Sequence, residues 1–107
     1  MISVDTVLDL LHDQERRYVF YYLDEQTAPV PIGEVAEAVA DMAAPTDGAG
    51  ISGTSEQIEV SIHHKHLPKM EPLGFVSHHV ETNEIEIDDP PTTFDTLLIT
   101  TKVLEME

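Results

Sequence analysis

Five of the six histidines and two of the five Lys/Arg residues lie between Ser55 and His79. From residue 57 to 80, Lys65 and Lys69 balance Glu59 and Glu71, whereas the whole chain carries −16 from 5 basic and 21 acidic residues. Scarce cationic and titratable side chains gathered on one helix-sized segment and the strands after it suit contact with a nucleic-acid duplex. A lysine ammonium neutralises phosphate or binds guanine, and glutamine and serine can read base edges. Ser55 and Gln57 sit near the start of this segment, where a helix offers its N–H groups to phosphate. His78 and His79 alternate across a strand, so one faces the core and the other solvent. The outward one is a candidate minor-groove or phosphate contact.

The same residues suit other chemistries less well. His63 and His66 have i, i+3 spacing, and a histidine from the following strands could add a third nitrogen ligand for zinc. There is no cysteine, the usual His-Glu-x-x-His spacing is absent, and no metal or cofactor is expected. Nothing resembles a glycine-rich phosphate loop or a nucleophile–base pair, so no enzyme is expected. With 21 acidic residues, carboxylates meet by chance, and a solvated acidic surface accounts for them. Tyr18 and Tyr22 share helical spacing with Val19 and Leu23 and read as core, not as a base-stacking platform.

The elements that must position these residues follow from periodicity. Val4, Val7, Leu8 and Leu11 predict a short amphipathic helix. Asp13 to Glu25 predicts a second, with a kink as the least that separates it from the first, and with Tyr18, Val19, Tyr22 and Leu23 as its buried stripe. Thr27 to Pro31 reads as a turn, and Pro31 suits the start of a third helix to about residue 43. Residues 44–53 are rich in Gly and Pro and read as a flexible loop. Thr54 to Gln57 has the form of a capping box and opens the fourth helix. Pro68 predicts a bend or break near residues 64–68, because Ile58 and Ile62 point a third of a turn or more away from Leu67 and Met70. Phe75–Val80 and Ile85–Ile87 predict a hairpin, with Glu81 to Glu84 as its turn. The tail over 92–106 has helical spacing at Phe94, Leu97, Leu98 and Thr101, although Ile99 to Val103 is rich in β-branched residues. A helix is favoured there.

Composition bounds the rest. A chain of 107 residues with 41% apolar content suits one domain with its own core. No apolar run reaches membrane-spanning length. Residues 1–5 lack the basic start of a secretory signal, so a cytoplasmic location is expected. The acidity has two readings. In dilute cytoplasm it would repel DNA and suit a basic partner. In a salt-loaded cytoplasm it is a solubility adaptation, because screening at about 1 M salt acts within roughly 3 Å.

Successive helices, then a hairpin, then a further helix make a winged-helix layout. At residue level the chain resembles a small haloarchaeal winged helix-turn-helix family of unassigned function, related to ArsR-like regulators. The matching segments run from Arg16 to Leu23, Val30 to Glu37 and His63 to Met70, followed by Leu73 to Val76. The resemblance spans roughly residues 5–87. Set on that pattern, Leu67 and Met70 become core anchors, and Ser61, His64, Lys65 and Lys69 take the outer face. It implies a mainly α fold with a small β-hairpin and an extra C-terminal helix. Residues 1–89 would form the winged-helix domain and residues 90–107 a C-terminal helical extension, a possible dimerisation element. It also implies a DNA-binding transcriptional regulator adapted to high salt. The expected partners are double-stranded DNA and a second copy, with no membrane. The competing expectation is a protein-interaction module that kept this scaffold and lost DNA. The acidic hairpin residues Glu81, Glu84 and Glu86 support that alternative.

Overall fold

The computed structural model describes residues 2–43 and 54–106. The chain is mainly helical, with a small antiparallel sheet. Helix α1 is Val4–Leu11, and the Ser3 hydroxyl caps it by accepting from the Thr6 N–H. Helix α2 is Gln14–Asp24, capped by Asp13, whose carboxylate accepts from the Arg16 N–H. Two separate caps make the α1–α2 junction a true corner and not a kink in one helix. Val7, Leu10 and Leu11 are buried, while Val4 and Leu8 stand in solvent. The expected α1 stripe was therefore half displaced: it mixes a core face with an exposed apolar one. In α2, Tyr18, Val19, Phe20, Tyr21 and Leu23 are buried, and Tyr22 instead reaches Glu34 at the surface.

Strand β1 is Val30–Pro31, and helix α3 follows directly as Ile32–Ala43. The fourth helix opens as α4, Ser55–Ser61, widens into a π turn over Ile62–His66 and tightens again as α5, Leu67–Met70. A 3-10 turn, Glu71–Leu73, ends it, and Gly74 closes it at φ 88, a conformation that suits glycine. Strands β2, Val76–His79, and β3, Glu84–Ile87, form the hairpin. Asn83 turns it at φ 55. Helix α6 is Thr92–Glu105, which settles the tail as a helix.

The sheet order is β1-β3-β2, all antiparallel. The hairpin expected to stand alone gains a third strand: Val30 lies opposite Ile85 and Pro31 opposite Glu84. A two-residue strand carries no alternation to detect, and Pro31 disguises it as a turn. Proline fits here at the start of α3, on an edge strand. Residues 44–53, read as a loop, lie outside the described residues.

The π turn resolves the register conflict at Pro68. Each residue advances an α-helix by about 100°, so one extra residue in the turn swings everything after it back by that amount. Ile58, Ile62, Leu67 and Met70 thus reach a common face, and all four are buried. The Leu67 N–H reaches back to the Ile62 carbonyl across the widened turn. Pro68, which has no N–H to donate, enters the new α-helical turn near its start. The core closes with an aromatic chain in which Phe94 of α6 packs against both Phe20 and Phe75, ring centroids 4.8 Å apart in each case.

Candidate functional site

Between Gln57 and Met70 the exposed side chains are Gln57, Val60, His64, Lys65, Pro68 and Lys69. None is acidic. The one carboxylate in that stretch, Glu59, is half-buried and lies against Gly33 of α3, where a methyl on that glycine would stand 3.5 Å from its oxygen. A chain with 21 acidic residues thus exposes no carboxylate of its own between Gln57 and Met70, although Glu56 in the first turn of α4 is exposed.

The structure places the sequence-picked residues as follows. Ser55 is half-buried in the first turn of α4. Gln57 completes the capping box: its N–H donates to the Thr54 hydroxyl, and its side-chain oxygen accepts from the Thr54 N–H at 2.9 Å. The NH2 end of that carboxamide remains a donor. Ser61 is half-buried and His64 exposed. Lys65 is 60% exposed, and its ammonium meets the Asp13 carboxylate at 2.9 Å. Lys69 is 53% exposed and stands 3.9 Å from Asp9. These four residues line a shallow cleft between the α1–α2 corner and α5.

His78 and His79 divide as strand alternation requires. His78, opposite Ile85, turns toward the helices, where its ring packs edge-on to His63 at 5.7 Å. Its Nε2 lies 3.3 Å from Asn83 Oδ1. His79 faces out, with Nε2 3.0 Å from the Glu86 carboxylate. His63 and His66 serve different partners, and among the described residues no group of three His, Cys, Asp or Glu is arranged to hold a metal ion.

Sequence reading missed the groups that hold this face in place. Arg16 is buried. Its Nε donates to the Leu10 carbonyl at 2.6 Å and its Nη2 to the Asp9 carbonyl at 2.9 Å, both at the end of α1, where the Asp9 carbonyl also accepts from the His12 N–H. Its Nη1 lies 3.4 Å from Nδ1 of His66, which is fully buried in the π turn. A guanidinium only donates, so Nδ1 accepts, and Nε2 supplies the proton for the Glu15 carboxylate at 2.8 Å. Arg17 points the other way. It donates to the Leu11 carbonyl and holds Glu105 of α6 through Nε and Nη2 at 2.8 and 2.7 Å. Tyr21 donates to the same carboxylate. The bond from Arg17 draws Glu105 below the usual carboxylate range, more than burial raises it. Burial pushes the Tyr21 hydroxyl up to about 12, with Glu105 adding to the rise. The only advance signal was that two adjacent arginines in so acidic a chain need acceptors. The side-chain acceptors are carbonyls, His66 and Glu105, not the nearer carboxylates Asp13 and Glu15.

Burial raises the pKa of Asp13, but the bonds from Lys65 and the Arg16 N–H outweigh it and hold the group at about 2. The folded value is therefore below the ordinary 3.8. The associated stability is complete above that value and is lost as pH falls through about 2. After allowance for solvent screening it amounts to roughly 1 kcal/mol. Asp13→Asn, which retains a capping oxygen, should flatten the acid limb of a urea-midpoint profile between pH values of about 4 and 2. An unchanged limb would remove Asp13 from the account.

A family model described as Domain of unknown function (DUF7344) matches residues 8–86. The chain belongs to the DUF7344 family. No curated protein and no solved structure matches it. The DUF7344 match begins within α1 and ends within β3, so it holds every candidate site residue from Ser55 to His79 and leaves α6 outside. Among the described residues no helix is long and apolar enough to cross a membrane.

Proposed function

We propose that this DUF7344 chain is a winged helix-turn-helix DNA-binding transcriptional regulator of ArsR-like type, adapted to high salt and acting as a homodimer. The run α4–π turn–α5 is the recognition helix, and the β2–β3 hairpin is the wing. The observation that carries this reading is the carboxylate-free outer face from Gln57 to Lys69, in a chain of net charge −16. Its polar side chains Gln57, Ser61 and His64 would face base edges, and Lys65 and Lys69 the flanking phosphates. Exposed apolar side chains support the dimer. Val4 and Leu8 on α1 and Ile99, Val103 and Leu104 on α6 stand in solvent on two helices that pack together. A second copy covering them would bring two recognition helices to successive major grooves about 34 Å apart.

A titration of fluorescein-labelled genomic duplexes in molar KCl, the region upstream of its own gene included, tests the reading. The expected result is saturable binding of two chains per duplex, weakened at least tenfold by Lys65→Glu with Lys69→Glu. Absence of binding to any fragment would sink it. The second reading, a protein-interaction module, is favoured by the wing: Glu81, Glu84 and Glu86 make it acidic, and His79 is held by Glu86. Cellular function intact in the double lysine variant would favour that module.

A further inference from the structure

The recognition face carries its own competitor for DNA. Each of the five Lys/Arg side chains meets an acceptor within the chain: Arg16 on carbonyls and His66, Arg17 on Glu105, Lys65 on Asp13, Lys69 near Asp9, Lys102 near Glu25. The arginines and the lysines differ in kind. Arg16 is 3% exposed and Arg17 about a fifth exposed, so their partners are fixed by packing. Lys65 and Lys69 are more than half exposed, and exposed ion pairs are weak and screened by salt. Their partners can be exchanged.

Resting on the DNA-binding reading, we propose that Asp9 and Asp13 hold Lys69 and Lys65 in the free protein, and that both lysines trade these carboxylates for DNA phosphates on binding. The exchange conserves ion pairs. An ordinary lysine–phosphate contact releases about 0.9 of a cation from the duplex, which makes affinity fall with salt. Here each released carboxylate recovers a counter-ion from solution, and the two effects nearly cancel. The lysines therefore contribute almost no salt slope, and the complex survives in salt that would strip a conventional basic interface from DNA. Asp9 and Asp13 also disfavour the bound state when salt is low, because two unpaired carboxylates then face the duplex unscreened.

The test compares the full chain with Asp9→Asn/Asp13→Asn. Asparagine keeps the cap on α2, and Asp9 bonds to Arg16 through its main-chain carbonyl, so both variants retain those structural contacts. Affinity for a fluorescein-labelled duplex from upstream of its own gene is measured across a KCl series. The wild-type plot of log affinity against log salt should be shallow. The double variant should steepen it by about two units per chain, which is roughly 100-fold tighter binding for a tenfold drop in salt. Adding Lys65→Gln/Lys69→Gln should abolish the difference. Acetic anhydride labelling without DNA gives an independent readout: relative to Lys102, modification of Lys65 and Lys69 should rise several-fold in the double asparagine variant. Equal slopes for wild type and variant would overturn the exchange while DNA binding stands. Unchanged labelling would overturn the pairing itself. Failure of both proteins to bind any duplex would overturn this proposal together with the reading beneath it.

Discussion

Replacing Arg16 with methionine is expected to lower unfolding stability by roughly 3–5 kcal/mol, the usual consequence of removing one member of a buried charged network. Methionine keeps much of the aliphatic volume, so the loss reports the guanidinium and not a cavity. The Leu10 carbonyl loses its 2.6 Å donor. His66 loses the contact to Nδ1 in a fully buried site. Each orphaned buried acceptor costs about 1–3 kcal/mol. Domains of this size hold about 5–15 kcal/mol, so the variant should stand near the edge of folding. Urea denaturation at fixed molar KCl measures it. Arg16→Lys should recover only part of the loss, because an ammonium lacks the planar fork that spans two carbonyls and an imidazole. A midpoint within about 0.5 kcal/mol of wild type for Arg16→Met would show that His66 and the end of α1 find other partners, and the network would lose its structural role.

The fold was legible in the sequence wherever periodicity and capping spoke together. Thr54 and Gln57 announced the start of α4, and the reciprocal bonds are present. Ile32, Val35, Ala36 and Val39 have helical spacing and are the residues α3 buries. The tail was ambiguous because Ile99 to Val103 is β-branched, yet Phe94 and Leu98 at i, i+4 are the residues α6 buries. What stayed hidden depended on long-range partners. Strand β1 exists only because Val30 finds Ile85, more than fifty positions away in the chain. The π turn reconciles two core faces that each looked correct alone. In the candidate site, the outward lysines were legible, but their partners were not. Asp9 and Asp13 come from the α1–α2 corner, and no spacing rule relates that corner to residues 65 and 69.

Arg16 and Arg17 show how a corner becomes a junction. Successive side chains on a helix point about 100° apart, so neighbours can serve different elements. Both arginines close the carbonyl end of α1, then diverge, one to the π turn through His66 and the other to α6 through Glu105. The fourth helix and the C-terminal helix are thereby referred to the same two residues of α2. The α1–α2 corner also supplies the carboxylates that meet Lys65 and Lys69. Orientation and electrostatic setting of the outer face thus originate from one place.

A chain ending at Asp89 is expected not to fold. The segment from Pro90 onward looks separable in sequence, since the DUF7344 match ends before it. Its packing argues otherwise. Phe94 is fully buried between Phe20 and Phe75, and Leu98 is buried beside it. Removing a buried phenylalanine costs about 3–5 kcal/mol and a buried leucine about 2–5. Their sum reaches the whole stability of an average domain, about 5–15 kcal/mol, before the loss of Glu105 from Arg17 and Tyr21 is counted. Amide NMR spectra of the truncated chain in molar KCl should be collapsed and poorly dispersed, with no cooperative urea transition. Glu105→Gln in the full chain should cost far less, which separates the ion pair from the aromatic packing. Phe94→Leu should fall between, keeping apolar volume but losing both ring contacts. A truncated chain that unfolds cooperatively near the full-length midpoint would mean that Phe20 and Phe75 close the core without α6, and that the helix is free to serve another copy.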